Sequence, residues 1–178
     1  MKLLLSWYIA SCIAAGQDPV HIKTAEGAFK RAEAARAARD WSHAEKQYLM
    51  AIDIEPTMME AYRGLVELYT ANNRAMDAGA ILTRILQIEP NSWKDRLLLG
   101  NILLNAGQPA RALAQFDTAV QISNDRDALY GFAQAAKANG MNDRAMEVAA
   151  RGVQEFPKDV RFKKLLDEVR TVLEGGGK

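Results

Sequence analysis

The chain has 178 residues, 49% of them hydrophobic and 25% charged, the balance of an ordinary globular protein. With 23 basic residues against 22 acidic ones it has no net field to recruit nucleic acid or an anionic membrane. One cysteine excludes an intramolecular disulfide framework and a cysteine-clustered metal site, and two histidines leave little for a zinc site or a proton relay.

The chain opens with Met1 and Lys2, followed by an apolar run from Leu3 to Ala15. As a helix this run would rise about 20 Å, short of the ~30 Å hydrocarbon core, so it suits a signal-peptide h-region better than a membrane span. Residues 1–16 are read as a targeting signal and 17–23 as a linker. Ile9-Ala10-Ser11-Cys12 resembles the bacterial lipobox, which implies Cys12 as a lipidated mature N-terminus. Ile13 then lacks the aspartate that commonly retains lipoproteins at the inner membrane, which implies the outer membrane. Ala14-Ala15-Gly16 also offers small residues for ordinary signal peptidase, releasing a soluble periplasmic protein that begins near Gln17. Retention of the segment uncleaved, in the cytosol or as an anchor, is the third alternative.

Downstream, the sequence repeats. Ala44, Ala78 and Ala112 are spaced by 34 residues and Ala145 follows 33 later; Pro56 and Pro90 are 34 apart, and Pro157 lies 67 beyond. Units set to begin at Ala25, Met59, Trp93 and Arg126 place Ala32, Val66, Gly100 and Ala133 where two helices touch. The same frame aligns the steps Ala44…Tyr48, Ala78…Leu82, Ala112…Phe116 and Ala145…Ala149. A second close-contact position holds Ala51, Ile85, Ala119 and Gly152, and the units close on Pro56, Pro90, Asn124 and Pro157. This pattern resembles the tetratricopeptide repeat. The resemblance implies an all-α fold, a right-handed α-solenoid of about four helix-turn-helix repeats over 24–157.

Local signals agree with paired helices. Asn73, Gly107 and Gly140 stand at the expected turns, with Arg39-Asp40 as the weakest of the set, and Pro109 suits the first turn of a helix. Tyr62, Leu65, Leu68 and Tyr69 give one apolar helix stripe. Thirty alanines match the need for close helix contact, since alanine has the highest helix propensity and loses no side-chain entropy. Residues 158–174 are predicted as a capping helix, with Phe162, Leu165, Leu166, Val169 and Leu173 on its buried face, and 175–178 as a disordered tail.

The sequence contains no H-E-x-x-H, C-x-x-C or G-x-S-x-G motif and no glycine-rich phosphate loop between a strand and a helix, so a non-enzymatic protein without metal or cofactor is expected. Asp125 and Asp127 read as capping residues, and Met58-Met59 as core filling. In the tetratricopeptide family the first helices line a concave groove for extended peptides or a partner helix. The resemblance therefore implies rungs of Phe29, Arg63, Leu97 and Tyr130; Glu33, Glu67, Asn101 and Gln134; Arg36, Thr70, Leu104 and Lys137; and Glu26, Glu60, Lys94 and Asp127.

From these rungs the expected partner contacts are Arg63, Lys94, Leu97, Asn101, Asn105, Tyr130, Gln134 and Lys137. A chaperone-tail clamp is disfavoured, because Phe29, Glu33 and Leu98 stand where basic or amide residues are expected. The expected function is a protein-interaction scaffold on the periplasmic side of a bacterial envelope. The alternatives are a stoichiometric subunit of a membrane-associated complex and a cytosolic chaperone-type adaptor.

Overall fold

A computed structural model describes residues 24–175, so residues 1–16 and 17–23, read above as a targeting signal and a linker, and residues 176–178 lie outside the described residues. The described residues form helices α1 (Ala25–Ala37), α2 (Trp41–Ile54), α3 (Met59–Ala71), α4 (Ala75–Ile88), α5 (Trp93–Asn105), α6 (Pro109–Ser123), α7 (Arg126–Ala138), α8 (Asn142–Glu155) and α9 (Val160–Gly175). No strand occurs among them. The fold class is all-α, built from repeated helix pairs. The chain falls into two compact units, the first ending at Asn73 and the second beginning at Arg74.

The turns explain how so few residues reverse the chain. Arg39, Asn73, Gly107 and Gly140 all have positive φ, 58 to 75°, so the left-handed residue recurs with the repeat. Arg39 adopts this conformation although it lacks the freedom of glycine. Its backbone N–H bonds back to Arg36 O and that of Asp40 to Ala35 O, which satisfies carbonyls that the end of α1 would otherwise leave unpaired. Asp40 then caps α2 by accepting from His43 N at 3.1 Å.

The third repeat is one residue short, and the structure locates the difference. Its second helix, α6, has 15 residues, and only Asn124 and Asp125 separate it from α7. Asn124 takes φ 47°, a conformation closed to the proline found at this point in the other repeats. Its amide donates to Glu155 Oε2 at 3.1 Å and accepts from Arg151 Nη2 at 2.6 Å. Asp125 caps α7 through the N–H groups of Asp127 and Ala128. A side-chain clasp to α8 thus stands where the other units use a proline turn.

In the first unit α1 packs on α2, and α3 packs on both. In the second, α4 packs on α5, then each helix packs on the next through α9. The first helices also touch one another there, α5 to α7 and α7 to α9. Burial follows the repeat positions: Ala44, Ala51, Ala78, Ala112, Ala119, Ala133 and Ala145 are all fully buried. Tyr48 and Phe116, the large residues of the repeat step, are buried too.

Those aromatic rings need glycine opposite them. A Cβ on Gly64 would stand 2.4 Å from the Tyr48 ring, and one on Gly131 would stand 2.5 Å from that of Phe116. Gly100 faces Phe116 as well, at 2.7 Å. In the fourth repeat the large residue is Ala149, and the facing position of α9 is Leu165 rather than glycine. Ala149 and Leu165 share one buried cluster with Leu166 and Val169, so the larger residue of the pair stands on α9.

Helix α9 begins 34 residues after α7 and repeats the spacing of a first helix. Phe162, Leu165, Leu166 and Val169 are buried as expected, but Leu173 is 38% exposed. The reason is length: α9 has 16 residues against 13 in α7, so its last turn has no counterpart alongside it. The helix also includes Gly175, which the sequence placed in the tail.

Replacing an exposed helical glycine by alanine gains roughly 1 kcal/mol of helix propensity. At Gly131 the Phe116 ring should reverse that sign, since overpacking a core costs about 1–3 kcal/mol. Gly131→Ala is expected to lower the melting temperature by a few degrees, and adding Phe116→Leu to recover part of the loss. Thermal denaturation of the two variants checks this; a Gly131→Ala protein as stable as the parent would refute the tight fit.

Candidate partner-binding surface

The second, fifth, ninth and twelfth residues of each first helix share one stripe, because these spacings follow the helical period. Contacts between neighbouring first helices verify the stripe. In the first unit Arg36 Nη1 on α1 donates to Glu67 Oε2 on α3 at 3.0 Å, and in the second Lys137 Nζ on α7 donates to Glu168 Oε2 on α9 at 2.5 Å. Both pairs join residues 31 apart, from a twelfth position to the next ninth. Arg161 Nη2 reaches Asp127 Oδ1 at 2.6 Å, joining two second positions.

In the first unit this stripe is dominated by acids. Tyr48 Oη donates to Glu33 Oε1, while Arg36 Nη2 bonds Glu33 Oε2 at 2.7 Å. Partial burial opposes ionisation of Glu33, yet the bonds from Arg36 and Tyr48 hold its carboxyl below its ordinary value. Burial, then the Glu33 charge, push the Tyr48 hydroxyl above its own. Tyr48 thus has two roles: its ring fills the space at Gly64 and meets Phe29 at 6.0 Å, and its hydroxyl orients a surface carboxylate. Arg63 is exposed on α3.

The second unit differs. On α5, Lys94, Asn101 and Asn105 are exposed and Leu97 is half-buried, with Leu98 also 36% exposed beside them. The Lys94 ammonium lies 5.7 Å from the centre of the Trp93 ring, within cation–π range. The remaining expected contacts, Tyr130, Gln134 and Lys137 on α7, are half-buried and already engaged. Tyr130 meets Phe162 edge to face at 5.5 Å and carries the Arg161 guanidinium over its ring at 4.7 Å. Gln134 Nε2 donates to Tyr130 Oη at 3.2 Å, and Lys137 is paired with Glu168. Cys12 lies outside the described residues.

Sequence reasoning did not place Arg161, Lys164 and Glu168 on this surface, because α9 was read as a cap. The signal was present: Arg161 is 34 residues beyond Asp127, and Glu168 is 34 beyond Gln134. Arg161 is the centre of the junction. Its Nε and Nη2 grip Asp159 at 2.9 and 2.6 Å, and Asp127 accepts from the same Nη2. These bonds from Arg161, working against partial burial and helped by Arg126, hold the Asp159 carboxyl at about 2.

No cluster of three or more His, Cys, Asp or Glu among the described residues could hold a metal ion. No described helix is long and apolar enough to cross a membrane.

Residues 103–169 match a family model of the tetratricopeptide repeat. Over these residues the chain carries the tetratricopeptide repeat. The match runs from α5 into α9, so it spans the aromatic–glycine interface, the Asn124 clasp and the Arg161 junction. No curated protein matches the chain. Among solved structures it resembles YrrB, described as a tetratricopeptide protein with an unusual peptide-binding site, with a TM-score of 0.73 and 19% identity over 93% of this chain and 84% of that one. MamA of Desulfovibrio magneticus RS-1 gives 0.71 and 16% identity, over 88% of each chain. A tetratricopeptide protein of Parabacteroides merdae gives 0.66 and 16% identity, over 93% of this chain and 64% of its own. At such identities the likeness is one of fold.

An unfolded aspartate titrates near 3.9, so a folded value of about 2 stabilises the protein above that pH and is lost as the pH falls from ~4 through ~2. Asp159→Asn should therefore be less stable than the parent at neutral pH and converge on it by pH 2. Melting curves across this range test the assignment; parallel curves would count against it.

Proposed function

We propose that this tetratricopeptide-repeat protein is a non-catalytic interaction scaffold, taking a peptide or partner helix of another protein on the first-helix face of its second unit. The observation that carries the proposal is the contrast along that face. Tyr130 and Lys137 are committed to α9, whereas Asn101 and Asn105 on α5 make no side-chain hydrogen bond with any described residue. Their amides can donate to and accept from a partner backbone, and Leu97 with Leu98 supplies apolar area beside them. The likeness to YrrB, whose description names a peptide-binding site, agrees with this use.

Leu97→Glu with Asn101→Ala should retain helicity and melting temperature, because neither residue is fully buried, and should abolish cross-linking to the partner. Cross-linking of native protein followed by mass spectrometry reads the result. A cross-linking pattern unchanged in the double variant would overturn the assignment.

We further propose that the scaffold works on the periplasmic side of a bacterial envelope, either lipidated or soluble. The apolar run Leu3 to Ala15 and the Ile9-Ala10-Ser11-Cys12 sequence support this location. Intact-mass measurement on membrane-extracted protein is expected to find a chain beginning at Cys12 and carrying lipid. A lipid-free chain beginning at Gln17 would replace lipidation with secretion, and an uncleaved chain would overturn both.

A further inference from the structure

The turn inside each helix pair falls at the same place in every repeat, but the residue before its left-handed member changes. It is Ala38 in the first repeat, Asn72 in the second, Ala106 in the third and Asn139 in the fourth. Asn139 stands before Gly140, and no other asparagine of the chain precedes a glycine. The two turn asparagines also differ in what holds them. Asn72 Nδ2 donates to Leu68 O at 2.7 Å, and the residue after it, Asn73, carries a side chain. Asn139 is exposed, and its side chain makes no hydrogen bond with any described residue.

This pairing has a defined chemistry. The backbone nitrogen of the residue after an asparagine is a nucleophile toward the side-chain amide carbon. A Cβ on that residue crowds the approach, and glycine has none.

We infer that Asn139 is a site of spontaneous deamidation. Gly140 N loses its proton and bonds to Asn139 Cγ, while the Cγ–Nδ2 bond breaks and the side-chain nitrogen takes up a proton and leaves as ammonia. Water then attacks one of the two carbonyl carbons of the succinimide ring, and that carbon's bond to the ring nitrogen breaks as the nitrogen regains a proton. Attack at Cγ leaves aspartate. Attack at the main-chain carbon leaves isoaspartate. The sum is an amide and water giving a carboxylate and ammonium, with nothing oxidised or reduced.

The turn decides when this happens. Gly140 N donates to Lys137 O at 3.0 Å, and Met141 N to Ala136 O at 2.9 Å. Asn139 has φ −88° and ψ 5°, which places the Gly140 nitrogen beside its own backbone nitrogen and away from its side chain. Ring closure therefore waits for the turn to open, and turns at helix ends open more readily than the core.

The products loosen the same turn. Aspartate puts a negative charge at the C-terminal end of α7, where the helix macrodipole disfavours it. Isoaspartate routes the main chain through Cβ and Cγ, lengthening a reversal that the bonds to Lys137 O and Ala136 O hold in register. That reversal brings Ala136 of α7 and Ala145 of α8 into one buried cluster.

The test incubates the full protein at mildly basic pH and follows every asparagine by peptide mass spectrometry, with isoaspartate read by its specific enzymatic methylation. Conversion is expected at Asn139 ahead of any other asparagine, as a mixture of aspartate and isoaspartate. It should quicken with pH and, in urea below the unfolding transition, in step with hydrogen exchange at the Gly140 amide. Asn139→Gln should abolish conversion at this position. Gly140→Asn copies the turn of the second repeat, where Asn73 takes φ 58°, and should remove the lead of position 139. A Cβ at Gly140 meets nothing within 4 Å, so the turn has room for it. Aged parent protein should melt below fresh protein, whereas aged Asn139→Gln should not.

Conversion at Asn139 no faster than at Asn72 overturns the inference. So does aspartate formed without isoaspartate, which would mean direct hydrolysis, or a rate indifferent to urea that speeds exchange at Gly140. An aged protein with Asn139 converted but its melting unchanged overturns the effect on the turn.

Discussion

The contact on which the second unit depends is the ring of Phe116 lodged against two glycines. Gly100 lies in the same repeat and Gly131 in the next, and a Cβ on either would stand under 3.0 Å from the ring. An aromatic side chain supplies a large buried apolar area, but only if neighbouring backbones approach closely enough to enclose it. Glycine permits that approach and loses helix propensity in return, about 1 kcal/mol relative to alanine. Tyr48 and Gly64 repeat the arrangement in the first unit. At the end of the chain Ala149 and Leu165 share one buried cluster, and the larger side chain stands on the opposite helix.

Fixing the helices at this distance also fixes what lies on their outer edge. Once α7 and α9 are neighbours, a twelfth-position cation meets a ninth-position carboxylate, as Lys137 meets Glu168, and Arg36 meets Glu67 in the first unit. Such exposed pairs contribute little individually, about 0–1 kcal/mol each. Their consequence is selective: they neutralise particular groups on the face and leave others open. Tyr130 shows this most plainly. It occupies the same repeat position as Leu97 and is half-buried like it, but its ring already meets Phe162 and the Arg161 guanidinium.

Much of the fold was legible in the sequence because helices that touch demand small residues at set intervals. The alanines at 44, 78, 112 and 145 announce a repeat that no single copy would establish. The irregular positions were harder. Asn124 in place of proline reads as a weakness in the pattern, whereas the structure shows a left-handed residue clasped by Arg151 and Glu155, which a proline could not replace. Arg39 reads as an unsuitable turn residue and adopts the left-handed conformation nonetheless, its cost met by the backbone bonds of the turn. Leu173 follows the apolar period of α9 but falls beyond the end of the helix beside it, so periodicity alone placed it in the core.

By itself the sequence determined the all-α class, the start of each repeat, and which residues share a helix face, since these follow from local propensity and a period near 3.6. Only the tertiary structure decided which members of that face are available. Whether Tyr130, Lys137 and Asp127 await a partner or are already engaged depends on α9, whose Phe162, Glu168 and Arg161 arrive from about one repeat further along the chain. Spacing within a helix reports the direction of a side chain. What it meets is set by packing between helices, which the local pattern does not encode.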